Sequence, residues 1–319
     1  MNWILNACIG ISMTALAALC SASPGPYSPA AGQAGTQAIS LTDWRLTAWA
    51  TSVANVAYGE NVDEEWQTPS RALGPVTGDL FDVVSLGEGG QITLAFDPVL
   101  HDGPGDDLAV FENSFSDTFL ELAFVEISSD GIHFVRLPNV SLTESAVGGN
   151  GSVDTTRIDG LAGKYRNGYA TGFDFAHTRG LPDAIGIDYD RISHVRLVDI
   201  VGDGRALDST GHPVYDPYPT NISAGFDLEA IGMLDAPAAW FGDLYFISAQ
   251  WYWSPWMGYA YAGAFPWLYI HDHGWIYCFG DGAAQWFWDP IGGWYYGEPT
   301  ARPFVYSATQ NKWVTWGIE

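Results

Sequence analysis

Gly105-Asp106-Asp107-Leu108-Ala109-Val110-Phe111-Glu112-Asn113 is the stretch whose reading decides the fold. Leu108, Val110 and Phe111 sit among smaller residues, as in a strand whose apolar side faces a core. Polar groups gather at both ends, with Asp102, Asp106 and Asp107 before the strand and Glu112-Asn113 after it. Carboxylates and amides so placed suit a hard cation such as calcium, which takes about six to eight oxygen ligands. The stretch offers no recognisable covalent chemistry.

The flanking chain carries the same signal. Ile92, Leu94 and Phe96 alternate within Gln91–Phe96, and Asp97-Pro98 is expected to end that strand. An acidic strand, Phe119–Ser128, turns at Ser129-Asp130-Gly131 into Ile132–Leu137, which predicts an antiparallel hairpin. Ile192–Ile200 and Gly225–Gly232 read as the last strands. Between them, residues 141–190 read as long loops. Asp199 to Thr220 forms a connection longer than a turn, as functional or ligand-held loops do. Trp44–Tyr58 fits a short helix or irregular extended chain. Strands without ten-residue helical crossovers predict an all-β, antiparallel sandwich over residues 41–235.

Charge and composition narrow the function. The 319 residues carry 37 acidic against 12 basic side chains, a formal charge of -25. Such a chain lacks the basic patch that nucleic acid requires, and it is repelled by anionic membrane surfaces. Acidity of this size keeps an exported protein soluble and leaves carboxylates for divalent cations. Residues 1–22 read as a signal peptide, apolar from Ile4 to Leu19, with cleavage after Ala22. Lipid attachment at Cys20 is disfavoured by Leu19, which is not small. Residues 23–40, rich in Pro, Gly, Ala, Gln and Ser, read as a flexible leader. Cys278 is then the sole mature cysteine, so no internal disulfide forms, and no later stretch spans a bilayer as a helix. The expected location is extracellular, at the cell surface or in the periplasm.

Composition changes abruptly near Ala236-Pro237, and most of the 15 tryptophans follow. Pro266–Tyr269 with Gly274–Tyr277, Trp286–Trp288 with Gly293–Tyr296, and Pro303–Tyr306 with Lys312–Trp316 each pair two aromatic runs across a short turn. Residues 236–319 are therefore expected to form a repeated β-hairpin domain. Trp and Tyr rings stack on sugar faces and quaternary ammonium groups, and only one face of each hairpin can be buried. Trp267, Trp275, Trp288 and Trp294 are the candidate contacts there, with Tyr215 and Tyr218 in the long loop of the sandwich.

Candidate calcium ligands are Asp107, Glu112, Asn113 and Asp227, with Asp199 and Asp216 as additional donors. The plainer reading makes them turn residues satisfied by backbone amides. Glycosidase carboxylates, as Glu112 with Asp227 or Glu121 with Glu126, form a competing reading. His271-Asp272-His273 fits a hairpin turn better than a metal site, having no third ligand nearby. There is no Gly-x-Ser-x-Gly, phosphate loop or His-Glu-x-x-His.

Ala72-Leu73-Gly74-Pro75, Ser85–Gly90, Asp107–Asn113, Glu121–Gly131, Gly160–Gly163, Asp216–Thr220 and Gly225–Leu228 together resemble the pattern of a family of exported bacterial cell-surface proteins. The resemblance implies a jelly-roll sandwich of the kind used by carbohydrate-binding modules. In many of those a structural calcium joins an early acidic loop to the last strand. The tail resembles a Trp-rich C-terminal region of exported bacterial proteins and, more loosely, choline-binding repeats. The expectation is a secreted or surface-attached, non-enzymatic protein, supported by calcium and binding glycan or a cell-envelope polymer. A polysaccharide hydrolase using loop carboxylates and a purely architectural surface protein are the alternatives.

Overall fold

The alternating apolar runs pair antiparallel throughout, and their order in space builds two packed layers. The computed structural model describes residues 24–43, 45–103, 105–234, 245–248, 251–254, 256–264, 267–279 and 285–316. The expected signal peptide, Cys20 and the Ala236-Pro237 boundary lie outside the described residues.

The first unit contains β1 (Ile39–Ser40), β2 (Leu46–Trp49), β3 (Ser52–Ala57), β4 (Val84–Ser85), β5 (Gln91–Leu100), β6 (Leu108–Glu112) and β7 (Ala123–Ser128). It continues through β8 (Val135–Arg136), β9 (Val140–Ser141), β10 (Ile158–Asp159), β11 (Tyr169–Phe173), β12 (Ile192–Asp199) and β13 (Asp227–Leu234). One sheet runs β1-β11-β6-β13-β2, with β4 beside β13, and the other runs β3-β5-β12-β7-β8. The order β2-β13-β6-β11 opposite β5-β12-β7-β8 is that of a jelly roll, two interlocked Greek keys.

Leu108 and Val110 of β6, Leu228 and Ile231 of β13, Leu94 of β5 and Leu197 of β12 meet between the layers. The outer faces are covered as well. Phe111, Ala109 and Leu234 pack under Ile39 and Trp49, while Leu120, Leu122 and Phe124 pack under Val153, Ile158 and Val214. For that reason β6, β7 and β13 are buried at every position, although their alternation suggests only one covered face.

Three expectations are corrected. The supposed leader is packed: Gly25 N donates to Thr156 Oγ1 at 2.6 Å, Ala30 and Ala31 are buried, and β1 pairs with β11. Trp49 and its neighbours form the regular strands β2 and β3 rather than a helix or irregular extended chain, because both strands find edges to pair with. Pro98 does not end β5, which continues to Leu100; the missing N–H falls where the β5–β12 ladder is already irregular, between Ile192 and His194.

Beyond the boundary, β14 (Tyr245–Ser248), β15 (Trp251–Ser254), β16 (Gly258–Ala264), β17 (Trp267–Ile270), β18 (Gly274–Phe279), β19 (Gln285–Asp289), β20 (Gly293–Gly297), β21 (Phe304–Ser307) and β22 (Lys312–Thr315) form a single sheet in chain order. The three expected hairpins are present in register, with Tyr269 opposite Trp275, Trp288 opposite Trp294 and Tyr306 opposite Trp313. Leu268, Ile270, Ile276, Cys278, Phe287, Tyr295 and Val305 fill the inner face. Trp316, just past the last strand, lies 4.7 Å from Phe287, 5.2 Å from Tyr295 and 4.3 Å from His273, ring centre to ring centre. The sheet therefore curls until its end closes over its own middle.

Candidate functional site

Several buried carboxylates are fasteners. Asp107 accepts from Gly103 N at 2.6 Å and from Phe175 N at 2.8 Å, tying the loop before β6 to the chain after β11. Asp199 accepts from Gly89 N and Phe226 N, both at 2.7 Å, and so joins the ends of β12 and β13 to the glycine turn before β5. Asp216 accepts from Leu122 N at 2.9 Å. Burial raises all three carboxyls: Asp107 to about 8, Asp199 to about 7, and Asp216 well above its usual range.

A different arrangement lies where β6 ends and β13 begins. Glu112 stands opposite Leu228, and Asp227 opposite Ser85 of β4. Their side chains line a cleft of about 480 Å³, together with Glu121, which just precedes β7. Gly163 lets a neighbouring loop reach Glu121: its φ is +82°, and an added Cβ would fall 1.9 Å from the Glu121 carbonyl oxygen.

Glu112, Glu121 and Asp227 are 2%, 7% and 5% exposed, and no lysine, arginine or histidine lines the cleft among the described residues. Burial raises each carboxyl, and the acids raise one another. Asp227 is the largest charged influence on both Glu112 and Glu121, and Asp216 and Asp199 add to the field at Glu121. Asp227 itself is pushed up to about 7 by burial, offset in part by Ser85 and Asn113. One of its oxygens, Oδ1, is buried without a hydrogen-bond partner among the described residues. Ser114 N donates to Glu112 Oε2 at 2.8 Å, and Asn113 Nδ2 donates to the Leu80 carbonyl at 2.8 Å.

Aromatic rings edge the opening. Phe115 and Phe119 stack 5.1 Å apart, and Trp66 lies 6.4 Å from the exposed Phe81. Pro219 and Thr220, next to Tyr218, complete one wall. Tyr218 is half-buried beside that wall, and the half-buried Tyr215 packs against Gly204.

The sequence-derived ligand set thus divides. Glu112, Asn113 and Asp227 share the cleft; Asp199 and Asp216 stand behind it, tied to backbone amides. Asp107 belongs to the other end of β6, about 17 Å away along five residues of strand. One ion cannot take both ends, so the opening stretch is not one wall of a single site. There Asp107 groups with Asp102 and Asp174, their ligand atoms within 4.8 Å of one another. Asp102 is held by Arg179 Nε at 2.7 Å, and Asp174 caps the turn at Ala176.

Glu126, read with Glu121 as a carboxylate pair, is engaged elsewhere. It accepts from Arg136 Nε at 2.9 Å and from Arg196 Nε at 2.6 Å. His271–His273 is a turn, with His273 Nε2 3.0 Å from Asp289 Oδ2. Glu121 is the cleft residue missing from the ligand set; the acidic alternation of Phe119–Ser128 was its only sequence signal.

The outer face of the hairpin sheet forms a second surface. Trp267, Trp275 and Trp294 are 39%, 43% and 41% exposed, while Leu268, Ile276 and Tyr295 beside them are buried. The outward rings touch across strands: Trp267 with Tyr277 at 5.2 Å, Tyr269 with Trp275 at 5.4 Å, and Trp286 with Tyr296 at 5.5 Å. Trp288 stands edge-on to Trp267 at 6.2 Å and is half-buried. Trp286 and Trp313 join this face although the sequence reading did not select them; strict alternation from Trp288 reaches Trp286, and Trp313 is the outward neighbour of Val314, which packs on the inner cluster.

No family model and no curated protein matches this sequence. Among the described residues no helix is long and apolar enough to cross a membrane.

Proposed function

We propose that this chain is an exported, surface-associated, non-enzymatic protein that holds a polysaccharide on the aromatic face of its hairpin sheet, with the jelly roll as its folded platform. The observation that carries the reading is the division of residue types between the two faces of that sheet. A sheet with one solvated face ordinarily places polar side chains there. Here Leu268, Ile270, Ile276 and Val305 serve the inner face together with Phe287, Tyr295 and Trp316, while the half-exposed tryptophans and tyrosines, rather than polar side chains, pave the outer one. Contiguous exposed apolar surface of this kind marks a contact site. Flat rings with a polar edge suit the faces of pyranose sugars and exclude water without needing charge.

The test is retention of the mature chain on insoluble polysaccharides and peptidoglycan. Trp275→Ala with Trp294→Ala is expected to weaken retention at least tenfold while the melting temperature holds, since both rings are already partly in water. Retention unchanged in that double variant, or no retention on any polymer, would sink the proposal. Reducing-sugar release from the same incubations, abolished by Glu112→Gln, would instead support the hydrolase reading, for which the cleft carboxylates supply the candidates.

A further inference from the structure

We propose that the sandwich cleft binds one hard divalent cation, calcium by the nature of its donors, held between Glu112, Glu121 and Asp227. The proposal is independent of the aromatic face. Three carboxylates with less than a tenth of their surface in water line one cavity, and among the described residues no basic side chain lines it with them. Burying charge without a partner is among the costliest arrangements in a protein. Several other acids of this sandwich have a donor on each carboxylate oxygen: Glu126 has two arginines, and Asp107 and Asp199 each take two backbone N–H groups, one to each oxygen.

The cleft acids are not so provided. Glu112 receives one backbone N–H, from Ser114; the Ser85 and Asn113 side chains act on Asp227, but its Oδ1 receives no hydrogen bond from the described residues. That buried, unsatisfied oxygen is an independent sign that something absent from the chain itself belongs beside it.

The donors select the ion. All are oxygens, and Asn113 places an amide on the same wall while its Nδ2 is engaged by the Leu80 carbonyl. Carboxylate and carbonyl oxygens suit calcium, whose shell is flexible, better than metals that favour imidazole or thiolate. The three carboxylates are not drawn within 4.8 Å of one another, as the Asp102, Asp107 and Asp174 oxygens are. The ion must therefore pull the side chains inward or share its shell with water, and the open cleft permits both. The latter cluster lacks the decisive feature, because its members already have Arg179 and backbone amides.

The experiment uses the full mature chain, stripped with EDTA and titrated with calcium chloride by calorimetry and thermal melting. One calcium per chain is expected, with a rise in melting temperature of about 5–10 °C at a hundredfold excess over Kd. Glu121→Gln and Asp227→Asn should each weaken binding at least tenfold. In EDTA both should melt at or above the parent, because each removes a repelling charge. No calcium binding by the parent would overturn the proposal. So would binding that survives both substitutions and is lost in Asp174→Asn, or cleft variants that melt well below the parent in EDTA, which would make these carboxylates structural.

Discussion

Asp107→Asn separates a fastener from its ionisation. Burial outweighs the two backbone N–H bonds, Asp102 and Asp174 add to it, and the carboxyl rises from 3.8 to about 8. Between those values the folded chain holds the proton more tightly than the unfolded chain does. Stability from this group is therefore complete below about pH 4, falls as pH rises, and levels off above about pH 8. At about 1.4 kcal/mol per unit, the group has lost roughly 1.5 kcal/mol by pH 5 and roughly 5 by pH 8, a change of about 3–4 kcal/mol between them. Asparagine does not titrate, but its NH2 must face one of the two N–H donors, Gly103 or Phe175, at a cost of about 1–3 kcal/mol. The variant should accordingly be the less stable chain below about pH 5 and the more stable one at pH 8. Urea unfolding of both chains in EDTA, at four pH values and with the m value checked for constancy, reads the difference directly. A difference that does not move with pH would mean that the two N–H bonds keep Asp107 ionised in the fold, and the reasoning from burial would fail.

Glu126→Ala leaves Arg136 and Arg196 stacked 4.0 and 3.9 Å over Phe124 and Phe134 without their shared carboxylate. Both guanidinium groups are partly solvated, so a loss of about 1–3 kcal/mol is expected in the urea midpoint, and no loss would show that the pairs contribute nothing. Phe287→Ala removes a fully buried ring between Tyr295 and Trp316; it should cost about 3–5 kcal/mol and abolish the near-ultraviolet circular dichroism of the hairpin tryptophans. Burial pushes the Cys278 thiol up to about 12, so a disulfide reagent should modify it only after denaturation, and rapid reaction in the native protein would contradict its placement.

Strand identity was legible because alternation is a local property. Ile92, Leu94 and Phe96, or Leu268 and Ile270 alternating with Trp267 and Tyr269, declare their faces within a few residues. The same rule made the outward tryptophans legible, since each hairpin has only two faces to share. Less could be read of positions whose meaning depends on distant partners. Residues 24–40 carry a composition typical of leaders, yet Ile39 pairs with Ala170 and Tyr27 N bonds to Thr156 O. Glu121 and Glu126 sit five residues apart with similar surroundings in sequence, but Arg196, from β12, reaches only the second. Asp107 and Glu112 look like one acidic neighbourhood, and a five-residue strand holds them at opposite ends of the sandwich.

The sequence by itself determined the all-β class, the division at the aromatic tail and the acidic character of the strand ends, because each follows from periodicity or composition. Only the tertiary structure decided which acids share a cleft and which are spent on backbone amides. That choice depends on the jelly-roll order, which sets β4 and β6 beside β13 and brings Glu121 to the same cavity, and pairings across more than a hundred residues leave no local trace.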